Sequence, residues 1–308
     1  MNVIPLAAES LGVRSMATYV EVAGTGLLLD PGATLAPSRF GLPPCDAEWD
    51  AFKRANDRIS AYAARAQFVF VSHYHDDHFR SDPATYAGHR VLAKDPLRMV
   101  SGLQAKRAAA LWETLDGPAK IQSADGLVHR EPPLELRVSP PLAHGVEGSA
   151  LGYVVALTIA DVMERERFVF ASDVQGPLSA VATAYLLQER PTLLYLSGPP
   201  SYMEHATGAA VIDRGIDNLL SIIERTGCRV IMDHHALRDT RAAERFARLW
   251  DTKRVVTAAG YLGVPEAALE SRRAYLSAGT RKPPAKAPSS RAIMARTPPK
   301  SAKGGHRE

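Results

Sequence analysis

The chain has 308 residues, 46% of them hydrophobic and 23% charged. That is enough to bury a self-sufficient core, and it excludes the fibrous and wholly disordered classes. The formal charge is +4, but +7 of it falls beyond Thr280, where the basic residues face only Glu308, so the preceding chain carries −3. A mildly acidic body does not support a nucleic-acid groove, although a nucleic-acid partner for the basic tail stays open. Cys45 and Cys228 lie far apart without CxxC spacing, which argues against a disulfide framework and a thiolate zinc site. Residues 1–8 lack a basic start followed by an apolar stretch, and no run approaches the ~18 apolar residues of a membrane span. A reducing, cytoplasmic setting without membrane contact is expected.

Two β-rich stretches open the chain, at 15–23 and 27–29, around Gly24-Thr25-Gly26, where glycines can supply the positive φ of a hairpin turn. The second stops at Asp30-Pro31-Gly32. Over 46–66, Trp49, Phe52, Ala55, Ile59 and then Tyr62 or Ala63 recur at helical spacing among charges and predict an amphipathic helix. It leads into Phe68-Val69-Phe70-Val71, a continuous apolar run that suits a buried strand. His73 follows Ser72 directly, so a histidine cluster stands at a strand's carboxyl end, the usual address for chemistry in layered α/β folds. The pattern then predicts a helix over 95–115, which caps the site or decorates the fold, and strands over 134–138, 152–159 and 168–171. A helix over 180–188, a strand over 193–196, a helix over 216–225 and a strand over 229–232 follow. One large domain over 1–275 is expected, then a basic tail over 276–308 rich in Pro, Ala, Ser and Lys. Almost without large apolar residues, that tail cannot offset its ordering entropy and predicts disorder.

The decisive string is Ser72-His73-Tyr74-His75-Asp76-Asp77-His78, an H-x-H-x-D-H arrangement. His73 and His75 alternate in an extended segment and can chelate one divalent cation, while Asp77 and His78 lie just beyond and can reach a second. Imidazole and carboxylate together suit zinc, and iron or manganese also accept them.

H-x-H-x-D-H resembles the signature of metallo-β-lactamase-fold metal-dependent hydrolases. The strings E-S-L-G-V-R-S-M-A-T, G-L-P-P, S-G-P-P-S-Y and D-H-H-A-L-R-D resemble an uncharacterised, mainly archaeal subfamily of them, over roughly residues 1–270. The resemblance implies a four-layer αββα sandwich, α/β (α+β) in class, with two mixed sheets face to face and two metal ions at one edge. It implies that His73, His75 and His144 hold one ion, that Asp77, His78 and His234 hold the other, and that Asp173 bridges them. His235 stands as the alternative to His234, which is favoured because H-x-x-x-R ending at Arg238 parallels the closing histidine motif of tRNA-processing members. Asp30 is implied as a residue holding a metal-bound histidine by its other ring nitrogen. Asp76, Asp233, Arg238 and Asp239 are supporting partners or surface ion pairs. Ser197 and Tyr202 line a substrate pocket or belong to a packed Pro-Pro turn. His89, His129, His205 and His306 read as structural or exposed.

The implied chemistry is hydrolysis of a small-molecule or phosphoester substrate by a hydroxide held between the metals, with Asp77 or Asp173 available for proton transfer. H-x-x-x-R and the basic tail favour a phosphoester. A lactone, thioester or amide hydrolase, a mononuclear-iron oxidoreductase of the same fold and a non-catalytic RNA-associated protein are the alternatives. The sequence carries no signal for oligomeric state.

Overall fold

A computed structural model describes residues 1–278. The first sheet runs β1 (Asn2–Pro5), β2 (Thr18–Val22), β3 (Thr25–Leu29), β4 (Phe68–Val71), β5 (Arg90–Ala93) and β6 (Lys120–Ser123) in spatial as well as chain order. Its β1–β2–β3 part is antiparallel and its β3–β4–β5–β6 part parallel. The second sheet contains β7 (Val128–Glu131) and β8 (Leu134–Val138), and a small ladder of β9 (Leu142–Ala143) with β10 (Tyr153–Val154) stands apart. β11 (Leu157–Asp161), β12 (Glu166–Ala171), β13 (Leu193–Ser197), β14 (Arg229–Asp233) and β15 (Val255–Val256) complete it, in the order β15-β14-β13-β12-β11-β8-β7. Four of these strands, β12 to β15, are parallel.

Strand alternation builds the layers. In β4, Phe68 and Phe70 enter a core shared with Leu136, Ile159 and Phe170 of the second sheet, while Val69 and Val71 face the opposite way. That outer face is covered by α1 (Asp46–Ala63) through Ala51, Ala55, Ile59 and Ala63, and by α2 (Gly102–Leu115) through Ala108, Leu111 and Leu115. On the other side, Leu194 and Leu196 of β13 and Val230 and Met232 of β14 pack on α3 (Ala180–Glu189) and α5 (Ala209–Thr226), the latter preceded by the single turn α4 (Glu204–Thr207). The result is helix, sheet, sheet, helix: the αββα sandwich that the motif resemblance implies. Each fully buried Ile or Leu in these layers contributes about 1.5–3 kcal/mol relative to exposure.

The structure corrects several expected boundaries. Trp49 is 54% exposed and lies off the α1 contact face, which uses the small residues at four-residue spacing instead. The helix expected from 95 starts at Gly102, because Asp95 accepts the Leu97 and Arg98 N–H groups in a turn of its own and Ser101 takes the N-cap. α2 belongs to the outer layer, and its Gln104 and Arg107 side chains hold the Tyr74 backbone from behind. The single strand expected over 152–159 divides into β10 and β11. The expected tail lies, from Gly279 onward, outside the described residues. No helix among the described residues is long and apolar enough to cross a membrane.

Candidate metal centre

The carboxyl ends of β3, β4, β12 and β14 release Asp30, the His73–His78 loop, Asp173 and His234, and β9 releases His144. Asp30, Asp173 and His234 have φ of 42°, 50° and 59°. Non-glycine residues in the left-handed region cost about 1–3 kcal/mol each and persist only where their surroundings over-determine them. Three such residues at one sheet edge, each turning a polar side chain inward just past a strand, mark a built site.

The side chains converge in two groups. In the first, His75 Nδ1 lies 3.1 Å from His73 Nε2 and 3.2 Å from His144 Nε2, and Asp173 Oδ2 lies 3.0 Å from His144 Nε2 and 3.4 Å from His73 Nε2. In the second, His78 Nε2 lies 3.3 Å from His234 Nε2, and the Asp77 oxygens lie 3.7 and 3.6 Å from these two nitrogens. Asp173 stands between the groups, with Oδ2 3.4 Å from His78 Nε2 and Oδ1 3.5 Å from His234 Nε2. A tetrahedral ion with bonds of 2.0–2.1 Å needs donor atoms about 3.3–3.4 Å apart. The first group falls slightly short of that spacing and the second slightly exceeds it.

A hydrogen-bonded frame aims these rings. His78 Nδ1 donates to Asp30 Oδ2 (2.9 Å), and Asp30 also accepts from the Ser72 N–H (2.7 Å) and hydroxyl (2.6 Å). This is the supporting position expected of Asp30. His234 Nδ1 donates to Glu9 Oε2 at 2.8 Å, and Gln175 Nε2 lies 3.4 Å from His144 Nδ1. The two carboxylates fix the tautomer of His78 and His234, leaving the other nitrogen's lone pair free for a metal. Arg238 Nε donates to Glu9 (2.7 Å) and its Nη2 to Asp77 (3.2 Å), while Nη2 also lies 3.1 Å from His234 Nε2. Asp233 accepts from the backbone of Ser10, His234 and Ala258, so it ties three segments together behind the site.

His235 is also in the site, stacked on His234 at 4.5 Å between centroids, with Nε2 3.9 Å from Asp173 Oδ2. The tighter groups include His234 and leave His235 at their margin, beside Tyr202. Ser197 is fully buried and its hydroxyl accepts the Gln175 N–H, so it braces a loop instead of lining a pocket. Asp76 is exposed and paired with Arg107. Sequence reasoning missed Glu9, Ser72 and Gln175. Glu9 lay inside a resembling string, but nothing local signalled that a carboxylate 225 positions from His234 would meet it.

Electrostatics favours a cation here. Burial, the largest influence, holds His73 and His235 well below the ordinary histidine range and His75 down to about 4, leaving three neutral imidazoles. Burial opposes charge on His78 as well, yet the carboxylates of Asp173 and Asp77 outweigh it and raise that group well above the ordinary value. Burial likewise works against ionised Asp173 and Asp77, but surrounding histidines, with Arg238 for Asp77, hold both well below the usual carboxylate range. Glu9, Asp77 and Asp173 are thus carboxylates held ionised in the interior of the site, where Arg238 answers Glu9 and Asp77, and buried anions demand positive charge. Asp173 Oδ1 is moreover buried without a hydrogen-bond partner, an orphaned acceptor that a cation would satisfy. The donor set, its spacing and this orphan fit divalent metal.

No family model matches the chain. Among solved structures it is similar to Zn(2+)-bound PqqB from Methylobacterium extorquens, at 10% identity and TM-score 0.49 over 83% of this chain and 98% of that one. It is similar also to the human short-form tRNase Z, at 13% identity and TM-score 0.46 over 76% and 92%. In sequence it is 40% identical to the UPF0282 protein of Thermococcus gammatolerans over 90% of this chain and 95% of the relative. The corresponding values are 36%, 91% and 97% for the UPF0282 protein of Methanocaldococcus jannaschii. Likeness at this level along nearly the whole of both chains places the protein in a family: it belongs to the UPF0282 proteins.

Proposed function

We propose that the protein is a metal-dependent hydrolase with a binuclear centre, zinc being the metal that the donors suit best, and that it cleaves a phosphoester. The observation that carries this reading is Asp173, whose Oδ2 lies between His144 and His73 of one group and His78 of the other, while Oδ1 faces His234 without a hydrogen-bond partner. His73, His75 and His144 would hold one ion, Asp77, His78 and His234 the other, and Asp173 would bridge them. When bound, such ions acidify water toward neutral pH and polarise the oxygen of the scissile group.

The chain's own residues supply the rest. Glu9, Asp30 and Gln175 keep His234, His78 and His144 oriented, which limits reorganisation during the reaction. Asp77 stays ionised beside Arg238, and its partly open side chain can accept a proton at Oδ1, the oxygen that Arg238 does not occupy. Arg238 Nε is bound to Glu9 and its Nη2 to Asp77, so its guanidinium orders the site.

Elemental analysis of purified protein, beside His75→Ala and Asp173→Ala, tests this reading. About two zinc ions per chain, reduced in both variants, with hydrolysis of bis(p-nitrophenyl) phosphate in excess of a lactone probe, is the expected result. One iron per chain would move the protein to oxygen-dependent chemistry, and no metal after metal-replete growth would overturn the reading.

A further inference from the structure

Beside the metal-ligating groups, Arg39 and Leu42 close a tight hairpin through reciprocal backbone hydrogen bonds of 2.9 and 3.0 Å. Phe40 and Gly41 at its tip have φ of 55° and 74°, the left-handed pair of a two-residue turn. A bulky aromatic is an unfavourable occupant of that backbone, yet the Phe40 ring is held out 50% exposed. The Arg39 guanidinium carbon lies 4.8 Å from the Phe40 ring centroid and 5.3 Å from that of Tyr202. Tyr202 in turn stands 6.3 Å from the His235 ring. Arg39 Nη2 donates to the Arg238 carbonyl (2.7 Å), and the Arg238 side chain touches Asp77. Phe40, Arg39 and Tyr202 therefore form a ledge running from solvent to the metal centre.

The charge on that ledge is poorly answered. The carboxylate paired with Arg39, that of Glu270, is 3.9 Å from Nε and already receives Arg14 at two contacts of 2.6 Å. Arg39 Nε is buried and has no hydrogen-bond partner. A guanidinium set against two aromatic faces, with donors to spare, is suited to a planar or phosphate-like anion carried on a ring.

We propose that Arg39, flanked by Phe40 and Tyr202, binds the anionic group of the substrate and that this substrate is the phosphate ester of a ring-bearing alcohol. The assignment of phosphate rests on the phosphoester reading above, whereas the binding role of the ledge can be measured without turnover.

Calorimetric titration of the full chain as purified with phenylphosphonate, the stand-in for phenyl phosphate that has no ester bond to hydrolyse, with metal content measured alongside, provides the test. Arg39→Ala is expected to weaken binding about tenfold or more, the effect of one charge-assisted hydrogen bond. Phe40→Ala, which removes only an exposed ring, is expected to weaken it by roughly twofold to fivefold, with metal content unchanged in both. Equal affinity in wild type and both variants would overturn the ledge, even with hydrolysis intact. Benzoate bound more tightly than phenylphosphonate would overturn the phosphate assignment. Arg39-dependent binding in a protein that turns over no ester would support the ledge and sink the hydrolase reading instead.

Discussion

The two halves of the metal centre are built differently. The first group, His73, His75, His144 and Asp173, is spaced at 3.0–3.4 Å and, among the described residues, has no arginine hydrogen-bonded to it. The second, Asp77, His78 and His234, is spaced at 3.3–3.7 Å and has Arg238 Nη2 at 3.1 Å from His234. Two of the first group's histidines come from one short extended segment, which sets their separation locally. The second joins His78 to a histidine 156 positions away, and holds it with Glu9 from the opposite end of the chain. With Asp173 shared, the donor counts are equal, and the neighbouring guanidinium makes the difference: metal in the first group is expected to bind more tightly than in the second.

The largest effect expected on that comparison comes from Asp173→Asn, which keeps a residue tolerant of the left-handed backbone and removes the shared charge. Metal content measured by mass spectrometry should fall from about two ions to below one per chain, and retention of both would mean that Asp173 bridges nothing. Glu9→Gln should act on one side only. Competition with a chelator should show the more weakly held ion released at a concentration about 10–100-fold lower than in wild type, with the tighter ion unmoved, and equal weakening of both would erase the distinction. A smaller effect is expected from Gly32→Ala, because a Cβ there would sit 2.4 Å from the Phe79 nitrogen and 2.6 Å from that of His78. About 1–3 kcal/mol of stability should be lost, read as a lowered midpoint in thermal unfolding. Ser197→Ala, which removes one acceptor for the Gln175 N–H, should cost about 1 kcal/mol and leave metal content alone.

Legibility followed locality. β4 and β12 to β14 are buried on both faces, so their apolar runs stand out, and with them the places where His73, Asp173 and His234 emerge. β6, K-I-Q-S, and β7, V-H-R-E, are edge strands exposed along most of their length, and such strands need no apolar run to be read. The H-x-H-x-D-H string announced chemistry because its donors are neighbours in the chain. His144, a lone histidine before glycine, became a candidate only through family order. The scaffold behind the rings was illegible, since Glu9 beside His234 and Gln175 beside His144 are tertiary meetings without any spacing rule. Arg238, the arginine that closes H-x-x-x-R, is held in the same way by Glu9, a partner that the string does not contain.

The contact between Glu9 and His234 also orders events in time. At roughly 5–20 residues per second of synthesis, the 225 positions between them correspond to on the order of 10–45 s. His73, His75, Asp77 and His78 emerge well before the groups that complete either ion's coordination, since His234 follows His78 by 156 positions. A nascent chain thus carries an unfinished chelator, and the metal it first captures is retained or exchanged according to what is abundant before His144, Asp173 and His234 arrive. On the binuclear reading, overproduction in media of different metal content is expected to yield chains that differ in metal while sharing one fold, as elemental analysis of each preparation would check.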